Sequence, residues 1–202
     1  MHPDTKQVAD HMRDFGLSVL GRAIYDATFS EHTRPFAHAL SVVHAAHGAE
    51  IVLKARIAQE HPLLIFSKLP SQSSTSGSLS ITELFEHGRS WEFDELPNRL
   101  WASTGFRIQN LSEFQTFGKL RNQIVHFAVP DVDLSREALK FCIETMEPIV
   151  HSFWTESAIR RAEEWDEVIV ADGYLEDQLK EAGINVPACV AEFFESRRKD
   201  KT

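Results

Sequence analysis

The sequence predicts an all-α fold in which amphipathic helices form a bundle. In the first segment, about residues 5–28, apolar residues recur every three or four positions, as they do along one face of a helix. A second stretch of this kind runs from Pro35, because proline is favoured in a first helical turn, to Glu60, where Pro62 stops it. The predicted core faces are Val8, Met12, Phe15, Val19, Ala23 and Ala27 in the first helix and Phe36, Leu40, Val43, Ile51 and Ala58 in the second.

The middle of the chain combines a loop with short helices. Residues 67–80 are rich in serine, with proline and glycine, which predicts a flexible surface loop inserted in the bundle. Ser80, followed three residues later by Glu83, matches a capping box and predicts a short helix over 81–87. Another helix is expected over 94–103, with a core face made of Leu96, Leu100 and Trp101.

Two longer helices are predicted next. Ser112 with Gln115 is a second capping-box pattern, and the helix that it opens should end by about Ala128 because Pro130 follows.

The helix after that is expected to begin near Ser135, with Asp133 or Ser135 as its cap, and to continue to Trp165. Pro148 should kink or divide it, because proline lacks the backbone donor that a helix interior needs.

Residues 166–202 are predicted to form a short helical extension of the bundle. Residues 167–171 alternate like a strand but are too few to make a sheet alone. A short helix over 174–182 is closed by Gly183, since glycine is favoured just after a helix end. The basic tail over 196–201 is expected to be a frayed terminus.

Composition limits the class of protein. The chain has 202 residues, 43% apolar and 25% charged, which suits one globular domain over residues 1–202. Cys142 and Cys189 lack the CxxC spacing of a thiolate metal site, and two cysteines do not make a disulfide scaffold. No signal peptide and no apolar run long enough to span a bilayer is visible, so a cytoplasmic protein without membrane contact is expected.

The net charge and the absence of several well-known enzyme motifs limit the functions that the sequence can have. The net charge of −9 disfavours a broad nucleic-acid surface but leaves room for a small site that handles one phosphate. Much of the acidity falls in residues 156–182. The sequence contains no glycine-rich phosphate loop, no Gly-x-Ser-x-Gly elbow and no His-Glu-x-x-His, which argues against those well-marked enzyme classes.

The most informative segment is the Arg-x4-His string from Arg121 to His126, with a polar Asn122 directly after the arginine. Asn122 and His126 are four residues apart and therefore share a helix face. Arg121 and His126 are five apart, about 140° around the helix, so they make poor partners on one rigid helix.

This segment resembles the motif of the HEPN superfamily, whose nuclease members carry Arg-x(4–6)-His, often with a polar residue after the arginine. The stretch Ala49–Ala55 (AEIVLKA) is similar to one common in HEPN helices, and Phe93–Trp101 fits the variable region before the motif helix. The resemblance covers residues 35–165, the expected HEPN-like core.

The resemblance implies metal-independent cleavage of RNA without a cofactor, in a toxin, defence or RNA-processing role. His126 would move a proton near neutral pH, and Arg121 would hold the phosphate. Asn122 would orient either the phosphate or the imidazole of His126. It also implies a homodimer, in which each site takes groups from both chains, with an antitoxin or other protein as a further partner and no DNA substrate. Toxin members carry a modified tyrosine two residues after the histidine; here Ala128 stands there, so that control is not expected.

Other interpretations stay open. His47, Glu50 and Lys54 are expected to support the motif helix or contact the second chain. His44, His47 and Glu50 are a weaker alternative as metal ligands. The same bundle could serve as a non-catalytic interaction module that binds a partner protein, or as a regulatory domain that binds a nucleotide.

Overall fold

The protein is a helical bundle with one short two-stranded ribbon; the computed structural model describes residues 3–29, 36–71 and 79–199. The strands β1 (Phe66–Lys68) and β2 (Arg89–Ser90) pair antiparallel. The predominance of helix confirms the all-α class, whereas the ribbon was not predicted. The helices are α1 (Pro3–Phe29), α2 (Ala37–Glu60), α3 (Ile81–His87), α4 (Leu96–Thr104), α5 (Leu111–His126), α6 (Leu134–Lys140), α7 (Glu147–Trp154), α8 (Ala158–Glu163), α9 (Tyr174–Glu181) and α10 (Ala188–Lys199).

Helix α2 is the centre of the core and packs against α1, α4, α5 and α6. Its contact with α1 is close at Gly48, where an added Cβ would lie 2.8 Å from Leu20 Cγ and 2.9 Å from the Leu20 backbone nitrogen. Alanine, valine and isoleucine make up most of the buried face of this helix, and small side chains let neighbouring backbones approach. Its fully buried apolar residues include Val42, Ala45, Ala49, Val52, Leu53, Ala55, Ile57 and Ala58.

Three side chains predicted for the core faces of α1 and α2 are in fact exposed. Phe15 is 50% exposed because α1 buries a face displaced from it, formed by Leu17, Leu20 and Ile24. Phe36, 68% exposed, precedes α2 in a left-handed backbone conformation (φ 68°), so it does not follow the helical stripe. Leu40 lies in the first turn of α2 and is 51% exposed. Pro35 lies outside the described residues.

The middle segment follows the prediction in part. The Ser80 capping box is confirmed: Ser80 Oγ accepts from the Glu83 N–H at 3.2 Å, and the Ser80 N–H donates to the Glu83 carboxylate at 2.9 Å. The loop predicted over 67–80 begins inside β1, and residues 72–78 lie outside the described residues.

Helix α4 buries only part of its predicted core face. Leu96 and Leu100, one turn apart, are fully buried, but Trp101 is 47% exposed because it projects about 100° away from Leu100 and about 140° away from Leu96. A single 3₁₀ turn over Phe93–Glu95 precedes the helix and places Phe93 in the core.

The capping box predicted at Ser112 is not formed. Helix α5 begins one residue earlier, at Leu111, so Ser112 lies within its first turn, and Asn110 precedes the helix without a side-chain cap. The helix ends at His126, within the predicted limit.

The long helix predicted up to Trp165 is divided twice. Asp133 caps α6 by accepting from the Arg136 N–H at 2.9 Å. A π-helical segment over Phe141–Met146 follows, and Pro148 then stands in the first turn of α7, where the backbone donor that proline lacks is not needed. Thr155 then ends α7 in a left-handed conformation (φ 56°), which the sequence did not predict.

The C-terminal part is more ordered than predicted. Residues 167–173 form a 3₁₀ helix and not a strand, α9 matches the expected short helix, and Gly183 follows at φ 65°. Of the tail predicted to fray over 196–201, residues 196–199 form the end of α10, and residues 200 and 201 lie outside the described residues. Six apolar residues of this part join the core: Ile169, Leu175, Leu179, Ile184, Val190 and Phe194.

Candidate functional site

The motif residues lie at the solvent-facing end of α5. The first half of this helix is anchored by Phe117, which is buried and stacks on Phe141 at 3.8 Å. Beyond Gly118 no residue of α5 is fully buried: Arg121 and Asn122 are half-buried and His126 is exposed. The sequence thus buries one end of the helix and presents the other, with its polar motif, to solvent.

Arg121 is positioned by a buried aromatic ring. Its guanidinium carbon lies 5.6 Å from the centre of the Phe93 ring. That ring stacks on Phe114 at 4.3 Å, and an added Cβ on Gly118 would lie 2.8 Å from it. Within the described ranges, Arg121 has neither a hydrogen bond nor an ion pair, so its donors are available to a ligand anion.

His126 is the last residue of α5, and its ring lies 6.4 Å from that of Phe127, which is 85% exposed. Asn122 is one turn earlier on the same helix face. No other side chain of the described chain makes a hydrogen bond to His126 or Asn122. In a single chain Asn122 and His126 therefore share one face of α5, while Arg121 lies over Phe93.

Glu50 and Lys54 stabilise the segment that carries Phe93. Lys54 is 8% exposed, and its Nζ donates to Glu50 Oε1 at 2.6 Å and to Ser90 Oγ at 2.9 Å. Ser90 belongs to β2, three residues before Phe93. The hydrogen bonds of Lys54 therefore join β2 to α2.

His47 is placed elsewhere. Its ring lies edge-on to Phe15 of α1 at 6.5 Å. His44, the other histidine of the metal alternative, has Nδ1 at 3.3 Å from Asp26 Oδ2. Burial opposes ionisation of Asp26, but the hydrogen bonds to His44 and Arg22 and their charges outweigh it and hold its pKa below the usual value.

His44, His47 and Glu50 therefore each contact a different residue, namely Asp26, Phe15 and Lys54. Among residues 3–29, 36–71 and 79–199, no group of three histidine, cysteine or carboxylate side chains could hold a metal ion.

A local basic region, missed in the sequence analysis, precedes and includes the motif. Residues 96–126 contain four arginines and lysines against one acidic residue, in a chain of net charge −9. Three arginines lie over aromatic rings, Arg99 over Trp91 at 4.9 Å, Arg107 over Trp101 at 4.7 Å and Arg121 over Phe93 at 5.6 Å. In the sequence, the alternation of arginine with tryptophan indicates this basic region. The negative net charge of the whole chain hides it.

Exposed apolar residues lie close to His126 in the chain. Val125 is 49% exposed, Phe127 85%, Val129 43% and Val132 52%. We call these four residues the apolar edge. Exposed apolar residues grouped in this way are typical of surfaces that another molecule covers.

Comparison of the chain with protein-family models, curated protein sequences and solved structures finds no match. In the part of the chain that the structure describes, no helix has both the length and the apolar character needed to cross a bilayer.

Proposed function

We propose that the protein is a metal-independent endoribonuclease of the HEPN type, acting in the cytoplasm as a homodimer. The observation that carries the proposal is the Arg121-Asn122-x3-His126 motif at the solvent-facing end of α5, where no other residue of the described ranges makes a side-chain hydrogen bond or ion pair with it. Polar side chains that are accessible and uncommitted are available for a substrate.

The chemistry is transfer of a phosphoryl group within the RNA chain. The ribose 2′-hydroxyl attacks the adjacent phosphorus, the bond to the 5′-oxygen breaks, and the products are a 2′,3′-cyclic phosphate and a 5′-hydroxyl. His126 accepts the 2′-hydroxyl proton or supplies one to the leaving oxygen. Arg121 binds the phosphate oxygens as negative charge develops on them, and Asn122 orients the phosphate or the imidazole.

A second copy of the chain would complete the site. In one chain Arg121 lies against Phe93, whereas His126 lies about 140° further round the helix. A two-fold axis beside α5 would bring His126 of one copy towards Arg121 of the other. The apolar edge next to His126 is a surface that such a copy would cover.

The basic region over 96–126 supports an RNA substrate. Its positive charge would attract phosphates locally, although the whole chain is acidic. The exposed Trp101, with Arg107 over its ring, offers an unpaired base a surface for stacking. A toxin, defence or RNA-processing role fits this activity, with an antitoxin or other protein as a regulator.

The test is cleavage of total RNA and transfer RNA in EDTA by wild type, His126→Ala and a control, His87→Ala. His87 is an exposed histidine of α3 outside the motif. We expect wild type and the control to cleave and to leave 2′,3′-cyclic phosphate ends. His126→Ala should lose about a hundredfold or more in rate, the size of a general acid–base contribution.

Absence of cleavage by folded wild type would contradict the proposal, and so would equal cleavage by wild type and His126→Ala. The first result would favour the alternative, a non-catalytic module that dimerises or binds a partner protein. Thermal stabilisation by nucleotides that is lost in Arg121→Ala would instead favour a nucleotide-binding regulatory domain.

A further inference from the structure

The side chain of Phe127, the residue that follows His126, is 85% exposed, more than any other large apolar side chain that the structure describes. Its ring lies 6.4 Å from the imidazole of His126, centre to centre, at an angle of 73°. No other aromatic ring within residues 3–29, 36–71 and 79–199 contacts it. This edge-on contact with a single neighbour leaves a flat face of the ring open beside the proposed catalytic histidine.

The backbone fixes the position of this ring at the end of α5. The N–H groups of Phe127 and Ala128 both donate to the carbonyl oxygen of Gln123 at 3.0 Å. Phe127 itself leaves helical geometry, with φ −132° and ψ −78°, so the chain turns at this residue. A ring this exposed contributes little to the hydrophobic stability of a single chain, although hydrogen bonds hold the backbone that carries it.

The surface that leads to Phe127 suits an anionic polymer. Residues 119–126, the second half of α5, contain Lys119 and Arg121 and no carboxylate. The first carboxylate after them in the chain is that of Asp131. Positive charge next to an open aromatic face is the combination with which proteins bind single-stranded nucleic acid, since the cations bind phosphates and the rings stack on bases.

The position of the ring relative to the motif indicates which base would stack on it. In the proposed reaction His126 acts on the oxygens of one phosphodiester, so the bases of the two nucleotides that this phosphate joins are the bases nearest to the imidazole. A ring 6.4 Å from the imidazole is within reach of such a base. In a duplex the neighbouring bases cover both faces of each base, so only an unpaired base can turn onto Phe127.

We propose that an unpaired base next to the cleaved phosphate stacks on Phe127, and that the substrate is therefore RNA that is single-stranded at the cleavage site. This inference rests on the proposed function, because the chemistry of His126 places the base. Phe127 would be the part of the apolar edge that contacts the substrate, beside the valines that the second copy would cover. Stacking distinguishes weakly between bases, so the pairing state of the RNA and not its sequence would decide whether Phe127 strengthens binding.

The test is fluorescence anisotropy with a short, labelled, unstructured RNA and with the same RNA annealed to its complement. All proteins carry His126→Ala, which is the parent, so that the RNA stays intact. Phe127→Leu keeps an apolar side chain without a ring, and Phe127→Tyr keeps the ring. The matched control is Phe15→Leu on α1, because Phe15 is 50% exposed and makes a similar edge-on contact with a histidine, His47, at 6.5 Å.

We expect Phe127→Leu to bind the single strand about tenfold more weakly than the parent, and Phe127→Tyr and Phe15→Leu to bind it within about twofold of the parent. The parent should bind the duplex more weakly than the single strand, and Phe127→Leu should change the affinity for the duplex by less than about twofold. Equal binding of the single strand by Phe127→Leu and the parent would overturn the proposal. An equal loss on single strand and duplex would overturn it as well.

Sedimentation of the same proteins separates stacking from a role of Phe127 in the dimer. Phe127→Leu keeps the apolar character that a contact between copies needs, so its oligomeric state should match that of the parent. Weaker RNA binding that accompanies loss of the dimer would contradict stacking. The proposed function fails by a different result, since a wild type that does not cleave RNA contradicts the ribonuclease, whereas ring-dependent binding of the single strand would still support stacking on Phe127.

Discussion

The guanidinium of Arg121 lies over the Phe93 ring, 5.6 Å from its centre, although 28 residues separate the two in the chain. The ring is held in turn between Phe114 and the backbone of α5 at Gly118. The position of the motif arginine therefore depends on packing inside the core.

Gly118→Ala should disturb this arrangement. The new Cβ would lie 2.8 Å and 2.9 Å from two carbons of the buried Phe93 ring, which has little room to move. We expect a loss of roughly 1–3 kcal/mol in the free energy of unfolding from overpacking, reduced by the better helix propensity of alanine. Urea unfolding measures the loss, and RNA cleavage at a temperature where the variant is folded should also fall.

The control for this change is Gln115→Ala, at an exposed position of the same helix. Its unfolding free energy should stay within about 0.5 kcal/mol of wild type. Unchanged stability in Gly118→Ala would mean that Phe93 can shift freely, and that it does not fix Arg121.

Lys54→Met should destabilise the fold, because two polar groups would lose their hydrogen-bond donor. Lys54 is nearly buried, and the change would leave the Glu50 carboxylate and the Ser90 hydroxyl without their donor. We expect a loss of about 1–3 kcal/mol in the free energy of unfolding. Since Lys54 acts on β2 and not on substrate, RNA cleavage by the folded fraction should change little.

Arg56→Met is the matched control, because Arg56 and Glu60 form a pair with the same i, i+4 spacing on the same helix. That pair is more exposed, and its loss should cost less than about 1 kcal/mol. Similar losses in the two variants would show that the burial of Lys54 does not increase the contribution of its contacts to the free energy of unfolding.

Helix α5 shows how far the sequence predicts the site. Its end near Pro130 and the angle between Arg121 and His126 follow from local rules, because each residue advances a helix by about 100°. The contact of Arg121 with Phe93 could not be predicted, since it requires the position of a turn far back in the chain. The same holds for Lys54, whose partner Ser90 lies 36 residues away.

The fold shows the same limit. Periodicity predicted most helices, but it cannot say which neighbour will cover an apolar face, so Phe15, Leu40 and Trp101 were expected in the core and are exposed. Helix α10 was missed because its basic end was given more weight than Val190 and Phe194, which lie four residues apart and are buried.

Trp101→Ala should weaken RNA binding without unfolding the protein. Trp101 is half exposed, and the Arg107 guanidinium lies 4.7 Å from the centre of its ring. Stacking of one base is worth about 1–3 kcal/mol, so the affinity for a short single-stranded RNA should fall roughly fivefold or more. The measurement is a filter-binding titration that compares the protein with and without Trp101→Ala. Both proteins also carry His126→Ala, so that the RNA stays intact.

Trp165→Ala is the matched control for that titration. Trp165 is similarly exposed and also lies beside an arginine, Arg22, but it belongs to the acidic part of the chain. Its loss should leave RNA affinity within about twofold. Equal losses from the two tryptophan variants would count against an RNA surface on the basic region.

Stability should depend on pH through Glu147, a carboxyl group of α7 that is 2% exposed. Its Oε1 accepts from the N–H groups of Ala158 at 2.8 Å and Ile159 at 3.2 Å and so attaches the start of α8 to α7. Burial outweighs these hydrogen bonds and raises the pKa of Glu147 from 4.5 to about 7.

Because its pKa is raised, Glu147 binds more protons in the folded state than in the unfolded state between pH 4.5 and 7. Its contribution to the free energy of unfolding therefore falls as pH rises through that window, by about 3 kcal/mol in all at about 1.4 kcal/mol per pKa unit. Glutamine at this position keeps an oxygen that accepts both N–H groups but cannot ionise. Glu147→Gln should thus be more stable than wild type at pH 8 and close to it at pH 5.

Urea unfolding at pH 5, 6, 7 and 8 measures this difference, which isolates Glu147 from other groups that titrate in the same range. Glu195→Gln, on the exposed side of α10, is the control, and its curve should run parallel to that of wild type. A parallel curve for Glu147→Gln would mean that the carboxyl group ionises at its ordinary pKa. In that case the buried Glu147 carboxylate that attaches α8 to α7 would not lower the free energy of unfolding at neutral pH.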